Sequence, residues 1–87
     1  MRSIIEETKF RDDLGKLGID PKRLDQLLEG IVLTVATKPD IYPEVPGKPA
    51  LRRLRVRPFP GLKCLNIWFS FDNESVRFLE IDVMDDL

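Results

Sequence analysis

Leu65-Asn66-Ile67-Trp68-Phe69-Ser70-Phe71-Asp72 alternates in the manner of a strand, and its reading decides what kind of fold this chain adopts. A period of two sends Leu65, Ile67, Phe69 and Phe71 to one side and Asn66, Trp68 and Ser70 to the other. The stretch is expected to be a central strand. Downstream, Asp72-Asn73-Glu74-Ser75 supplies a turn, although it lacks the glycine of the strongest two-residue hairpins, and residues 76–83 form the second arm. Alternation there places Leu79, Ile81 and Val83 on one face, with Val76 and Phe78 on the other.

Upstream, residues 51–59 read Leu-Arg-Arg-Leu-Arg-Val-Arg-Pro-Phe. A strand over residues 52–57 sends Arg53, Arg55 and Arg57 to one face, a row of cations, and Leu54 and Val56 to the other. Pro58-Phe59-Pro60-Gly61 then turns the chain. Three strands in immediate succession pair antiparallel, and their apolar face must be covered by something else in the chain.

The cover is legible further back. Ile4 and Ile5 centre a short first strand over residues 3–7, and Thr8 is expected to cap a helix carrying Phe10, Leu14 and Leu17 at helical spacing. Gly18 suits a left-handed helix end, and Asp20-Pro21 restarts a helix with a capping side chain followed by proline at the first position. Leu24, Leu27, Leu28, Ile31, Val32 and Val35 then make an apolar stripe wide enough to lie on a sheet. Gly30 within it costs about 1 kcal/mol relative to alanine, which points to a close approach at that position. Pro39 stops the helix, and residues 39–50, with prolines at 39, 43, 46 and 49, read as a stiff surface connection. The expected fold is α+β: a small antiparallel sheet built from a strand, a helical hairpin and a three-stranded meander, with both helices on one face.

At 87 residues the chain is expected to be a single domain over residues 1–87, and 43% hydrophobic with 33% charged residues is a globular balance. The longest uncharged apolar run, residues 31–36, is too short to cross a bilayer, so no membrane segment is expected. Glu6 and Glu7 interrupt the place where a signal peptide would continue its apolar region, which points to the cytoplasm. Cys64 is the lone cysteine and there is no histidine. No disulfide within the chain, metal site or cofactor is expected, and Cys64, with no histidine to activate it, reads as a strand residue.

Net charge of −1 conceals a segregation. Lys48, Arg52, Arg53, Arg55, Arg57 and Lys63 fall within residues 48–63 with no acid among them, whereas residues 72–87 carry Asp72, Glu74, Glu80, Asp82, Asp85 and Asp86 against Arg77 alone. The adjacent acids Glu6-Glu7, Asp12-Asp13 and Asp85-Asp86 have no partner set for a metal and read as solvated. Two readings of the arginine row stand side by side. One is a strand kept soluble by charge or paired across the sheet with the acids of the last strand. The other is a groove for nucleic acid or an acidic protein, since guanidinium groups grip phosphate and carboxylate in a two-pronged manner.

The basic strand, the Pro-Gly turn, the strand Asn-Ile-Trp-Phe-Ser-Phe-Asp and the last strand Val-Arg-Phe-Leu-Glu-Ile, preceded by a short strand and a helical hairpin, resemble the RelE/ParE superfamily of bacterial toxins. The likeness covers most of the chain from Phe10 to Val83. It implies a toxin of a toxin–antitoxin pair that inhibits translation by ribosome-dependent mRNA cleavage, or poisons DNA gyrase, and is neutralised by a cognate antitoxin. In the nuclease branch, basic residues on the sheet hold RNA phosphates, and the positions that match here are Arg53, Arg55 and Arg57, with Lys63 nearby and Arg77 on the last strand; Arg52 joins them as a candidate nucleic-acid or antitoxin contact. Asp82, Asp85 and Asp86 stand where nuclease members tend to carry basic and aromatic or histidine residues, and the only tyrosine, Tyr42, lies in the proline-rich connection. The resemblance therefore names no catalytic residue. Its alternative is a protein-binding module of the same fold without RNA chemistry.

Overall fold

The computed structural model describes residues 2–56 and 64–83. They form a small α+β unit with two helices and a mixed five-stranded sheet: β1 (Ser3–Glu6), α1 (Thr8–Lys16), α2 (Pro21–Thr37), β2 (Glu44–Val45), β3 (Lys48–Val56), β4 (Leu65–Phe71) and β5 (Ser75–Val83). Strand order is β1-β5-β4-β3-β2. The meander β3-β4-β5 is antiparallel as expected, with β4 at the centre. β1 is different: it returns beside β5 and runs parallel to it, so the sheet is mixed rather than antiparallel throughout.

Each helix end has a local cause. Glu7, not Thr8, is the residue before α1, and its side chain makes no capping bond. Its N–H donates to the Phe78 carbonyl at 3.0 Å, the last rung tying β1 to β5, while its own carbonyl accepts from Arg11 N–H at 3.1 Å. Strand and helix therefore exchange at this one residue. Gly18 takes φ 70 just past α1, as expected, and the Asp20 side chain accepts from Lys22 N–H at 3.1 Å with Pro21 in the first turn. Gly30 departs from expectation. A Cβ built there meets nothing within 4 Å, and Gly30 is exposed with an ordinary φ, so no close approach explains it. Gly30→Ala is expected to raise stability by about 0.5–1 kcal/mol, read as an upward shift of the urea midpoint at unchanged slope.

The proline-rich connection is more structured than a stiff loop. Pro39–Ile41 makes one 3-10 turn, and Val45-Pro46-Gly47-Lys48 closes a small hairpin between β2 and β3. Gly47 sits at φ 79, the left-handed value that a type II turn needs after proline. β3 thus begins at Lys48, four residues before the expected start. The expected turn at Pro58-Phe59-Pro60-Gly61 lies outside the described residues.

The alternation expected for the last strand breaks in the middle. Phe69 faces Phe78 and Trp68 faces Glu80, so Leu79 is an extra residue opposite no partner, a β-bulge. Before it Val76 and Phe78 point to the core; after it Ile81 does so as well, although it has the opposite parity. The separation of Val76 and Phe78 from Ile81 is therefore corrected: one inserted residue brings both sets to one face. Deleting Leu79 is expected to leave a regular ladder with the same pairs and a folded protein. Deleting Arg77 turns residues 75–76 to the wrong face and abolishes the cooperative thermal transition seen by circular dichroism.

The core lies between this face and the helices, and comprises Phe10, Ile31, Val35, Leu65, Ile67, Phe69, Val76, Phe78 and Ile81. Phe10 of α1 stacks on Phe78 with ring centroids 5.2 Å apart. Phe69 meets Phe78 edge-on at 6.4 Å and Tyr42 edge-on at 5.8 Å, so the connection itself closes one end of the core. Burial pushes the Tyr42 hydroxyl above its ordinary pKa. Beyond Phe78, where β1 has ended, Lys9 of α1 reaches Glu80 of β5 at 2.9 Å and Asp13 at 3.0 Å. The bond from Lys9 also holds the Asp13 carboxyl below its usual range.

The β4–β5 turn explains its missing glycine. Asp72 Oδ1 accepts from the N–H groups of Glu74 and Ser75, both at 2.8 Å, building the turn from a side chain. These donors hold the Asp72 carboxyl below its ordinary value. A lowered folded-state pKa means that the stabilisation is present above the unfolded carboxylate value of about 3.9 and is lost as pH falls through the lower folded value. Asp72→Ala is expected to lower the melting temperature by a few degrees at pH 7, with the gap to the parent narrowing below about pH 4.

Candidate binding face

The sheet face turned away from the helices is set by strand register. Across it run Arg53, Trp68 and Glu80 in one row, and Arg55, Asn66 and Asp82 in the next. Arginines on β3 and acids on β5 are therefore separated by the whole of β4. Two strand spacings are about 10 Å, a little more than a Debye length at physiological salt, so attraction between the two sets of charges is weakened by solvent. Among the described residues no ion pair joins the arginines of β3 to the acids of β5.

The acids already have occupants. Glu80 is held by Lys9 at 2.9 Å, and Asp82 accepts from Asn66 Nδ2 at 3.2 Å. Asn66 is 7% exposed, and its Oδ1 has no partner among the described residues. Arg53 is half-buried and Arg55 exposed, and among the described residues neither makes an ion pair. Trp68 is half-buried beside Arg53, offering part of an indole face next to a cation. Two residues along a strand stand about 6.8 Å apart on one face, so Arg53 and Arg55 present two donor forks in a line.

Next to them is a notch of about 410 Å³ lined by Tyr42, Pro43, Arg53, Leu54 and Arg55. Arg53 N–H donates to the Pro43 carbonyl at 3.1 Å, which pins the connection against the strand and forms the notch wall. The connection's contribution was not visible in the arginine pattern. Only the prolines, which fix a rigid path, hinted that Tyr42 and Pro43 would be held in place.

The other expected site residues separate. Arg52 lies on the opposite face: its Nη1 donates to the Tyr42 carbonyl at 2.8 Å, its Nη2 pairs with Glu44 at 3.3 Å, and its guanidinium lies 5.5 Å from the Phe71 ring centroid. It staples the connection and the rim of the core. Arg77 shares a face with Arg53 and Arg55, but lies on β5 opposite Ser70 and is paired with Glu7 at 2.9 Å. Arg57 and Lys63 lie outside the described residues.

Two guanidinium groups in a line are an arrangement that can hold an anion. Among the described residues of the sheet face there is no histidine, the nearest tyrosine is Tyr42 in the adjoining notch, and the carboxylates Glu80 and Asp82 are engaged. Among the described residues no helix is long and apolar enough to cross a membrane. A scan against family models finds no match, and a comparison with curated proteins finds none either.

Proposed function

We infer that this protein is a toxin-like component of a bacterial toxin–antitoxin pair, acting in the cytoplasm on translation or on DNA gyrase and restrained by a cognate antitoxin. The observation that carries the reading is the pair Arg53 and Arg55, without ion-pair partners among the described residues, beside Trp68 on the helix-free face. A charge pair needed only for solubility has no reason to sit next to an indole and a notch. The chain order also supports the resemblance to RelE/ParE toxins: a strand, a helical hairpin, then a meander that opens on a basic strand. In this reading Arg53 and Arg55 hold either RNA phosphates or the carboxylates of an antitoxin segment.

A second reading, a protein-binding module without RNA chemistry, is favoured by the engagement of the face's carboxylates Glu80 and Asp82 by Lys9 and Asn66. Induction in a bacterial host tests the first reading. Growth arrest relieved by a neighbouring small gene supports it, and unaffected growth at confirmed expression rejects it. Incubation with translating ribosomes then separates the branches: cleaved mRNA marks a nuclease, and intact mRNA from an arresting protein marks another target.

A further inference from the structure

On the helical side of the molecule, a groove of about 630 Å³ lies between α1 and α2. Its floor is apolar, formed by Leu14, Leu28 and Val32, each half-buried and so leaving carbon surface to solvent. Its rim is acidic. Glu6, Asp25 and Glu29 line it against the single cation Arg11, and among the described residues none of the three acids makes an ion pair.

Asp25 and Glu29 occupy positions i and i+4 of α2, a spacing at which like charges disfavour a helix. The helix dipole does not explain them, because its influence fades within the first turn and α2 carries no acid there. Neither the spacing nor the dipole accounts for this pair.

We propose that the groove between α1 and α2 is a docking site for a cationic amphipathic helix of a partner protein. The charge of the rim selects the partner's sign, and excludes nucleic acid and anionic membrane surfaces by repulsion. The walls select its shape: a third helix laid between two helices buries leucine-type side chains on the floor while lysines or arginines flank them at the rim. This surface is on the opposite side of the sheet from Arg53 and Arg55, so the proposal stands independently of what that face binds.

Three labelled sixteen-residue peptides test it by fluorescence anisotropy against the full chain. One is a leucine–lysine amphipathic helix, the second has glutamate in place of lysine, and the third is the first peptide with two central residues replaced by proline. The first is expected to bind and the other two not. Asp25→Lys with Glu29→Lys is expected to weaken binding by about tenfold, the combined effect of two rim ion pairs. Asp25→Asn with Glu29→Gln, which keeps shape and removes charge, should weaken it in the same direction and serves if the lysine variant fails to fold. Absence of binding by the first peptide, equal binding by the proline peptide, or binding indifferent to both folded variants would overturn the proposal.

Discussion

Phe69→Ala is expected to remove about 3–5 kcal/mol of stability, a large part of what a domain of this size has. The ring is fully buried at the centre of β4, edge-on to both Phe78 and Tyr42 and tilted against Phe71 at 6.5 Å. It is the point where sheet, connection and helix-packed core meet. Removing it leaves a cavity that neighbours on three different elements cannot jointly close, and a small domain has only about 5–15 kcal/mol in total. Leu33→Ala is the control, since Leu33 is 56% exposed on α2 and its truncation should cost about 0.5 kcal/mol or less. Urea denaturation of both variants measures the difference. Similar midpoints for the two would contradict the assignment of the core.

Arg53→Glu with Arg55→Glu carries the largest expected functional effect. Both side chains lie on the helix-free face, without ion pairs among the described residues, so reversal should leave the melting temperature within a few degrees of the parent. Binding is another matter. Each reversal removes a charge-assisted contact of about 1.5–3 kcal/mol and adds repulsion, so affinity for RNA or for an acidic antitoxin should fall by at least about a hundredfold. Arg52→Ala should behave oppositely, lowering stability through the lost bonds to the Tyr42 carbonyl and Glu44 while sparing the face.

The contrast between Arg52 and its neighbours shows where the sequence was sufficient and where it was not. Strict alternation in β3 and β4 assigned Arg53, Arg55, Leu54 and Val56 to their faces correctly, because a half-buried sheet penalises any slip of register. The same parity separates Arg52 from the row, yet composition alone grouped it with the other cations. β5 defeated the alternation because both parities are apolar: Val76 and Phe78 on one, Leu79, Ile81 and Val83 on the other. Only the partner strand reveals the bulge that reconciles them. The parallel pairing of β1 with β5 is equally invisible locally, since the residues that meet, Ser3 and Ser75 for example, are distant in sequence and joined by no turn signal.

The candidate face was half legible. Its cations stood out in the sequence, but their isolation from the acids of β5 depends on β4 lying between the two strands, and on Lys9 and Asn66 engaging Glu80 and Asp82. The notch at Tyr42 and Pro43 depends on the path of the connection, which prolines stiffen without stating where it leads.

The most direct test of the central claim is a matched induction of the parent and the Arg53→Glu, Arg55→Glu variant in a bacterial host, with folded protein quantified in both. The parent is expected to arrest growth, and the variant, equally abundant and equally folded, is not. Unaffected growth with the parent, or equal arrest by the two, would contradict it.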